Sequence, residues 1–170
     1  MPTTVLTDLA VNLITTAAGT GSSVAIADVA LGDGLGGNYT PGAGATGLKR
    51  ELARQPIESR IRTGPTTWRI KAEFGPETPA FAVREMGFFD TAGNLIALYA
   101  GLDMPEKETG AVSYLIAHFL NFSRVSEGLV IIDAPDDVMF DFMAVTIRNQ
   151  ALQGLDLFRQ GEALRAAGIL

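Results

Sequence analysis

One histidine, no cysteine and a handful of clustered carboxylates are the residues of this chain best suited to chemistry. His118 stands alone, so neither a histidine metal cluster nor a His-based triad has more than one candidate. It lies inside the apolar run "VSYLIAHFLNF" (112–122), where a hydrogen-bonded core or interface histidine is the reading. Zero cysteines remove disulfides, thiolate metal sites and thiol nucleophiles together. Asp133, Asp136 and Asp137 cluster beside an expected helix start, where they serve as caps, since no other ligand is spaced to complete a metal site. "GDGLGG" fits G-x-G-x-x-G at Gly32, Gly34 and Gly37 after a strand. A dinucleotide fingerprint must also open a helix, and "NYTPGAGATG" follows instead. "GAGATGLK" (42–49) misses a phosphate loop for want of the adjacent glycine–lysine–hydroxyl triplet. No nucleophile, base and orienter occur together. The expectation is a protein that is not an enzyme, with no cofactor and no metal.

The remaining oddity is a charged pair, Arg84–Glu85, inside "FAVREMGFFDTAGNLIALYA" (81–100), the most hydrophobic hairpin of the chain. Successive strand residues point to opposite faces. Phe81, Val83, Glu85, Gly87 and Phe89 therefore share one face, and Ala82, Arg84, Met86 and Phe88 the other. The two charges cannot readily pair with each other, and an unpaired buried charge costs several kcal/mol. At least one must find a partner within the fold or across a subunit boundary. One is expected to lock the fold while the other holds a neighbouring subunit.

The elements that position these residues follow from periodicity. Val5 to Ala18 shows the i, i+3, i+4 spacing of an amphipathic helix, with Thr3 or Thr4 as N-cap and a glycine stop in "AAGTGSS". Val24–Leu31 reads as a strand. Gly32–Gly47 is a long glycine-rich loop, and Leu48–Arg54 reads as a short helix stopped by Pro56. "IESRIR" and "TWRIKAEF" read as strands about the turn "TGPT", and "DTAGN" closes the opening hairpin with a glycine suited to a left-handed position. Val112–Phe122 and Glu127–Ala134 add two strands. From Pro135 onward the pattern reads helical, apolar on nearly every side from Val138 to Ile147, which calls for cover from the domain or a neighbouring chain. Phe140, Met143 and Ile147 share a heptad seam, but a regular coil is not expected past Ile147. The expected class is α+β: an N-terminal helix, an antiparallel sheet or sandwich core with a long glycine-rich loop, and a helical C-terminal tail. The expected domains are 1–134 and 135–170, the second for oligomerisation or partner attachment.

Composition narrows the partners. A net charge of −6 with scattered basic residues argues against a nucleic-acid ligand. The longest apolar runs reach only about ten residues, against the ~20 of a membrane-spanning helix. No signal-peptide pattern opens the chain, since no basic residue precedes Lys49.

In order, "VAIADVALGDGLGGNYTP", "LKRELAR" and "FAVREMGFFDTAGNLIAL" resemble the amino-terminal domain of bacteriophage tail-collar fibre proteins. Gly32, Asp33, Gly34, Tyr39 and Pro41 fit that family's first motif. Val83 to Ala97, with Arg84, Glu85, Gly87, Phe89, Asp90 and Gly93, fits its hairpin motif. The resemblance spans about Val5 to Asp133. It implies a virion component in the tail or baseplate, assembled in the host cytoplasm, that anchors a fibre to a baseplate or tail-tip protein, usually as a homotrimer. A distal fibre or receptor-binding protein would be a further partner. Such proteins commonly continue into a shaft, whereas this chain stops at Leu170 and 135–170 matches no family pattern, so an adaptor is the expectation. The candidate subunit interface is Arg84, Glu85, Phe140, Met143 and Ile147. The alternative is a β-rich carbohydrate-binding module for host-surface attachment, which would need exposed aromatics among Trp68, Tyr39, Tyr99 and Tyr114.

Overall fold

The structure is a computed structural model that describes residues 4–101, 113–122 and 125–139, and beyond them 146, 150, 153–154, 158–162 and 165. The chain divides into two compact units, Met1–Asp136 and Asp137–Leu170. In chain order the first unit contains β1 (Val5–Leu6), α1 (Asp8–Thr20), β2 (Val24–Gly32), β3 (Glu51–Pro56), β4 (Ser59–Gly64), β5 (Thr67–Phe74), β6 (Glu85–Asp90), β7 (Leu95–Ala100), β8 (Tyr114–Asn121) and β9 (Val130–Ile132). The first sheet runs β1-β7-β6-β2-β3, and β9 also pairs with β2. That last pairing is parallel, through Val24–Ile26, and the others are antiparallel. The second sheet is β4-β5-β8, antiparallel throughout.

Both sheets and the helix feed one core. Ala10, Ile14 and Ala17 of α1 lie one or two turns apart on a single buried stripe. They join Ile26, Val29 and Leu31 of β2, Ile70 and Phe74 of β5, Met86 and Phe88 of β6, and Ile116 and Leu120 of β8. Burying an aliphatic or aromatic side chain of this size contributes about 1.5–3 kcal/mol, so this cluster is the main source of stability. A second, smaller cluster lies apart from it: Ala30, Phe89, Leu95 and Leu98, with Tyr39, Ala45 and Leu48 packed on them. The glycine-rich segment after β2 thus straps a sheet face that would otherwise be wet.

The α+β expectation is overturned. The described residues are mainly β, and α1 is the one helix of seven residues or more among them. Beyond Asp137 the longest described helical stretch is five residues, 158–162, so the continuous helical tail expected from Pro135 is not found among the described residues. Asp136, an expected cap, instead forms an isolated bridge with Arg60. The interface candidates Phe140, Met143 and Ile147 lie outside the described residues.

Two local expectations also change. The N-cap is Thr7, whose Oγ1 accepts from the Ala10 amide at 3.0 Å, and Val5–Leu6 instead pair with Leu98 and Ala97 of β7. Leu48–Arg54 is no helix: its second half enters β3 against the free edge of β2, with Ala53 opposite Leu31. Helix propensity in "KRELAR" is worth tenths of a kcal/mol per residue, and pairing an open sheet edge outweighs it. Pro56 ends β3 at an edge, where its missing N–H breaks no ladder.

Candidate functional site

The charged pair of the hairpin organises the strap. Glu85 opens β6, is 0% exposed, and shares its face with Gly87 on the side of the smaller cluster. Its Oε1 accepts from the amides of Gly34 (3.1 Å) and Arg50 (2.9 Å). Its Oε2 accepts from the Lys49 amide (2.9 Å) and from the Tyr39 hydroxyl. Four donors converge on one carboxylate, which is the environment an acceptor-only, ionised group requires. All four belong to the segment between β2 and β3, so a single side chain ties down both ends and the middle of the strap.

The surrounding residues make that convergence possible. Gly32 has no room for a side chain, because a Cβ there would fall 2.3 Å from the Arg50 carbonyl oxygen and 2.5 Å from Glu85 Oε1. At Gly87 a Cβ would meet Phe89 at 2.8 Å, Leu95 at 3.0 Å and Leu48 at 3.1 Å, so the strap lies directly on the strand. Asp33 turns the chain out of β2 by accepting from the Leu35 amide (3.1 Å), and its carboxylate is gripped by the Arg50 guanidinium through Nε (2.7 Å) and a second nitrogen. Burial pushes the Tyr39 hydroxyl well above its usual value of 10.0, helped by its bond to Glu85 and the nearby negative charge. Lys49 Nζ covers the Tyr39 ring at 3.9 Å from its centre. Pro41 is half-buried further along the strap, and the carbonyl of Ala43 accepts from the Asp8 amide at the start of α1 (2.8 Å).

At the far end of β6, Asp90 builds the hairpin turn. Its Oδ1 accepts from the amides of Ala92 (2.9 Å) and Asn94 (2.8 Å), and its Oδ2 from the Asn94 side chain (2.8 Å). Gly93 takes the left-handed position, φ 82°, that such a turn demands. An open groove of about 290 Å3 passes Asp90 between α1 and β2, but both oxygens of this acid are engaged in the turn.

The other sequence candidates are dispersed. His118 sits in β8 with Nε2 3.2 Å from Thr4 Oγ1, stacked on Phe88 and edge-on to Tyr99. The Asp136 carboxylate pairs with Arg60 (3.0 Å). "GDGLGG" leads into a 3₁₀ turn, Gly34–Gly36, rather than a helix. Arg84 places its backbone in the ladder, donating to Gly32 and accepting from Gly101, while its guanidinium has no ion-pair or hydrogen-bond partner among the described residues. Lys49 and Arg50 escaped sequence reasoning because two of their contributions are backbone amides, which carry no residue signature. The only available signal was Glu85 itself, a buried acid in need of donors.

The latch is therefore assembled by the ordered motifs around Gly32–Pro41 and Arg84–Gly93. The family model "Phage tail-collar fibre protein, N-terminal" matches residues 1–126. The chain belongs to this family. It carries the amino-terminal domain of a phage tail-collar fibre protein. A curated relative, the "Probable tail fiber protein" of Escherichia phage P2, is 39% identical over 77 residues, or 44% of this chain. That stretch is 12% of the relative's length, so this tail-fibre domain corresponds to a small part of it. No solved structure matches.

Proposed function

We propose that this tail-fibre domain anchors or connects a fibre to the baseplate or tail tip, acting as an adaptor. The observation that carries the reading is the state of the ionisable motif residues. Asp33, Tyr39, Glu85 and Asp90 all have their polar atoms engaged inside the fold, so the motif maintains a shape rather than a reaction. A rigid anchoring module needs that, and a homotrimer joined to a baseplate or tail-tip protein on one side and a distal fibre or receptor-binding protein on the other would use it. Assembly would take place in the host cytoplasm, before the finished tail carries the domain into the virion. Glu85 is enclosed by its own chain, so within this reading Arg84 is the member of the pair left to meet another protein. Residues 135–170, with Phe140, Met143 and Ile147, remain the proposed attachment segment.

The carbohydrate-binding alternative needs flat aromatic platforms open to a sugar. Tyr39 is covered by Lys49, Tyr99 packs on His118, and the guanidiniums of Arg60 and Arg62 both lie 5.5 Å from the centre of the Trp68 ring. These engagements favour anchoring. Antibody labelling of intact particles should mark the tail tip or baseplate, and sedimentation equilibrium should give a trimer. Monomers in solution together with unlabelled tails would remove the proposal.

A further inference from the structure

The end of the first sheet that carries the latch has an unusual charge distribution for an acidic chain. Its acids are turned inward or engaged: Glu85 by four donors, Asp33 by Arg50, and Glu51 by Arg54 at 2.9 and 2.8 Å. Its cations are left outside. Lys49 and Arg50 are exposed, and the half-buried Arg84 guanidinium is unpaired among the described residues. Arg50 and Arg54 are matched by Asp33 and Glu51, so among the described residues Lys49 and Arg84 against Glu85 leave a small local excess of positive charge in a chain of net charge −6.

An apolar knob stands beside those cations. Leu35 has φ 59°, the one positive φ outside glycine among the described residues, and it is flanked by Gly34 (φ 61°) and Gly36 (φ 79°). A residue with a branched side chain in the left-handed region costs roughly 1–2 kcal/mol, and here the side chain is 65% exposed, so packing within the chain does not offset it. Arg84 is next to this turn, since a Cβ on Gly34 would lie 3.7 Å from the Arg84 Cβ. The turn is held in place by the Gly34 amide on Glu85 and the Leu35 amide on Asp33. The latch thus displays an exposed leucine on a turn that borders the Arg84 backbone and Cβ, and the Arg84 guanidinium has no partner among the described residues.

We propose that Leu35, Arg84, Lys49 and Arg50 form the docking face for an acidic segment of another tail protein, with Leu35 entering an apolar socket and a partner carboxylate pairing with Arg84. A carboxylate is the chemistry that matches a planar guanidinium bidentately, and complementary charge steers and orients such contacts. Another copy of this chain would bring a net −6 of its own, but its acids at the corresponding face are already engaged, which favours a different protein. This inference rests on the anchoring reading above.

The test places p-benzoylphenylalanine at position 35 of the full chain in assembled particles, irradiates them, and sequences the cross-linked peptide. Antibody labelling of the same particles confirms that the chain is on the tail. The expected product joins residue 35 to an Asp- or Glu-containing peptide of a different tail protein. Arg84→Glu should lower the yield at least tenfold and Arg84→Lys less than threefold, with both variants retaining the wild-type denaturation midpoint. A cross-link to another copy of this chain, a peptide without acids, or a yield indifferent to Arg84→Glu would overturn the proposal. Labelled tails that give no cross-link would overturn the docking face alone, whereas unlabelled tails would remove the anchoring reading and this inference with it.

Discussion

β6 has a buried carboxylate at each end, and the two act over different ranges. Asp90 accepts from residues two and four positions away and so shapes only its own turn. Glu85 accepts from residues 35 to 51 positions away and so fixes the path of a long loop. A local carboxylate of the first kind has substitutes, because Asn builds a similar turn. A distant one has none, because three of its four donors are main-chain amides that cannot turn an oxygen toward it, as the Asn94 side chain can toward Asp90. The same carboxylate chemistry is thus expected to contribute about 1 kcal/mol or less at Asp90 and about 3–5 kcal/mol at Glu85.

Replacing each acid puts that contrast under strain. Glu85→Ala leaves three amides and a hydroxyl without an acceptor and should cost about 3–5 kcal/mol in urea denaturation. Glu85→Gln keeps the volume but directs an amide donor at other donors, and about 2–4 kcal/mol of loss is expected. Gly32→Ala attacks the same latch by crowding the Arg50 carbonyl, which is backbone and cannot swing aside, so about 2–3 kcal/mol is expected. Asp90→Asn should cost less than about 1 kcal/mol, since Oδ1 still accepts from the Ala92 and Asn94 amides and the Asn94 side-chain amide can turn its oxygen toward the new donor. Equal losses for Glu85→Gln and Asp90→Asn would erase the distinction.

Alkali sharpens the comparison from another side. The Tyr39 hydroxyl holds its proton more tightly when folded than when unfolded, because burial and Glu85 both disfavour its anion. Its contribution is therefore complete below pH 10.0 and is lost as pH rises above that value toward the folded one. Stability should fall with pH from 10.0 upward, and Tyr39→Phe, at a cost of about 1 kcal/mol at neutral pH, should flatten that fall. Tyr114, also raised by burial, is the control: Tyr114→Phe should leave the strap's response unchanged when read by exchange at Lys49.

Much of the fold is legible from alternation alone. β2, β5, β8 and the β6–β7 hairpin fall close to the runs that apolar periodicity marks, and Gly93 marks the turn. What Glu85 meets was not legible, because three of its four partners are main-chain amides brought together only by the folded strap. β3 was missed for a related reason: "LKRELAR" has helix-forming side chains, and the open edge of β2 that claims it is a tertiary fact. The tail expectation failed because an all-apolar pattern states a need for cover without stating which structure supplies it.

The central claim is that Glu85 holds the strap from Gly34 to Arg50 as one latch. Residue-resolved hydrogen exchange of wild type and Glu85→Gln tests it most directly. The amides of Gly34, Lys49 and Arg50 should lose protection together, by at least tenfold more than those of the β6–β7 ladder. Unchanged protection at these three amides, or equal loss across the hairpin, would contradict the account.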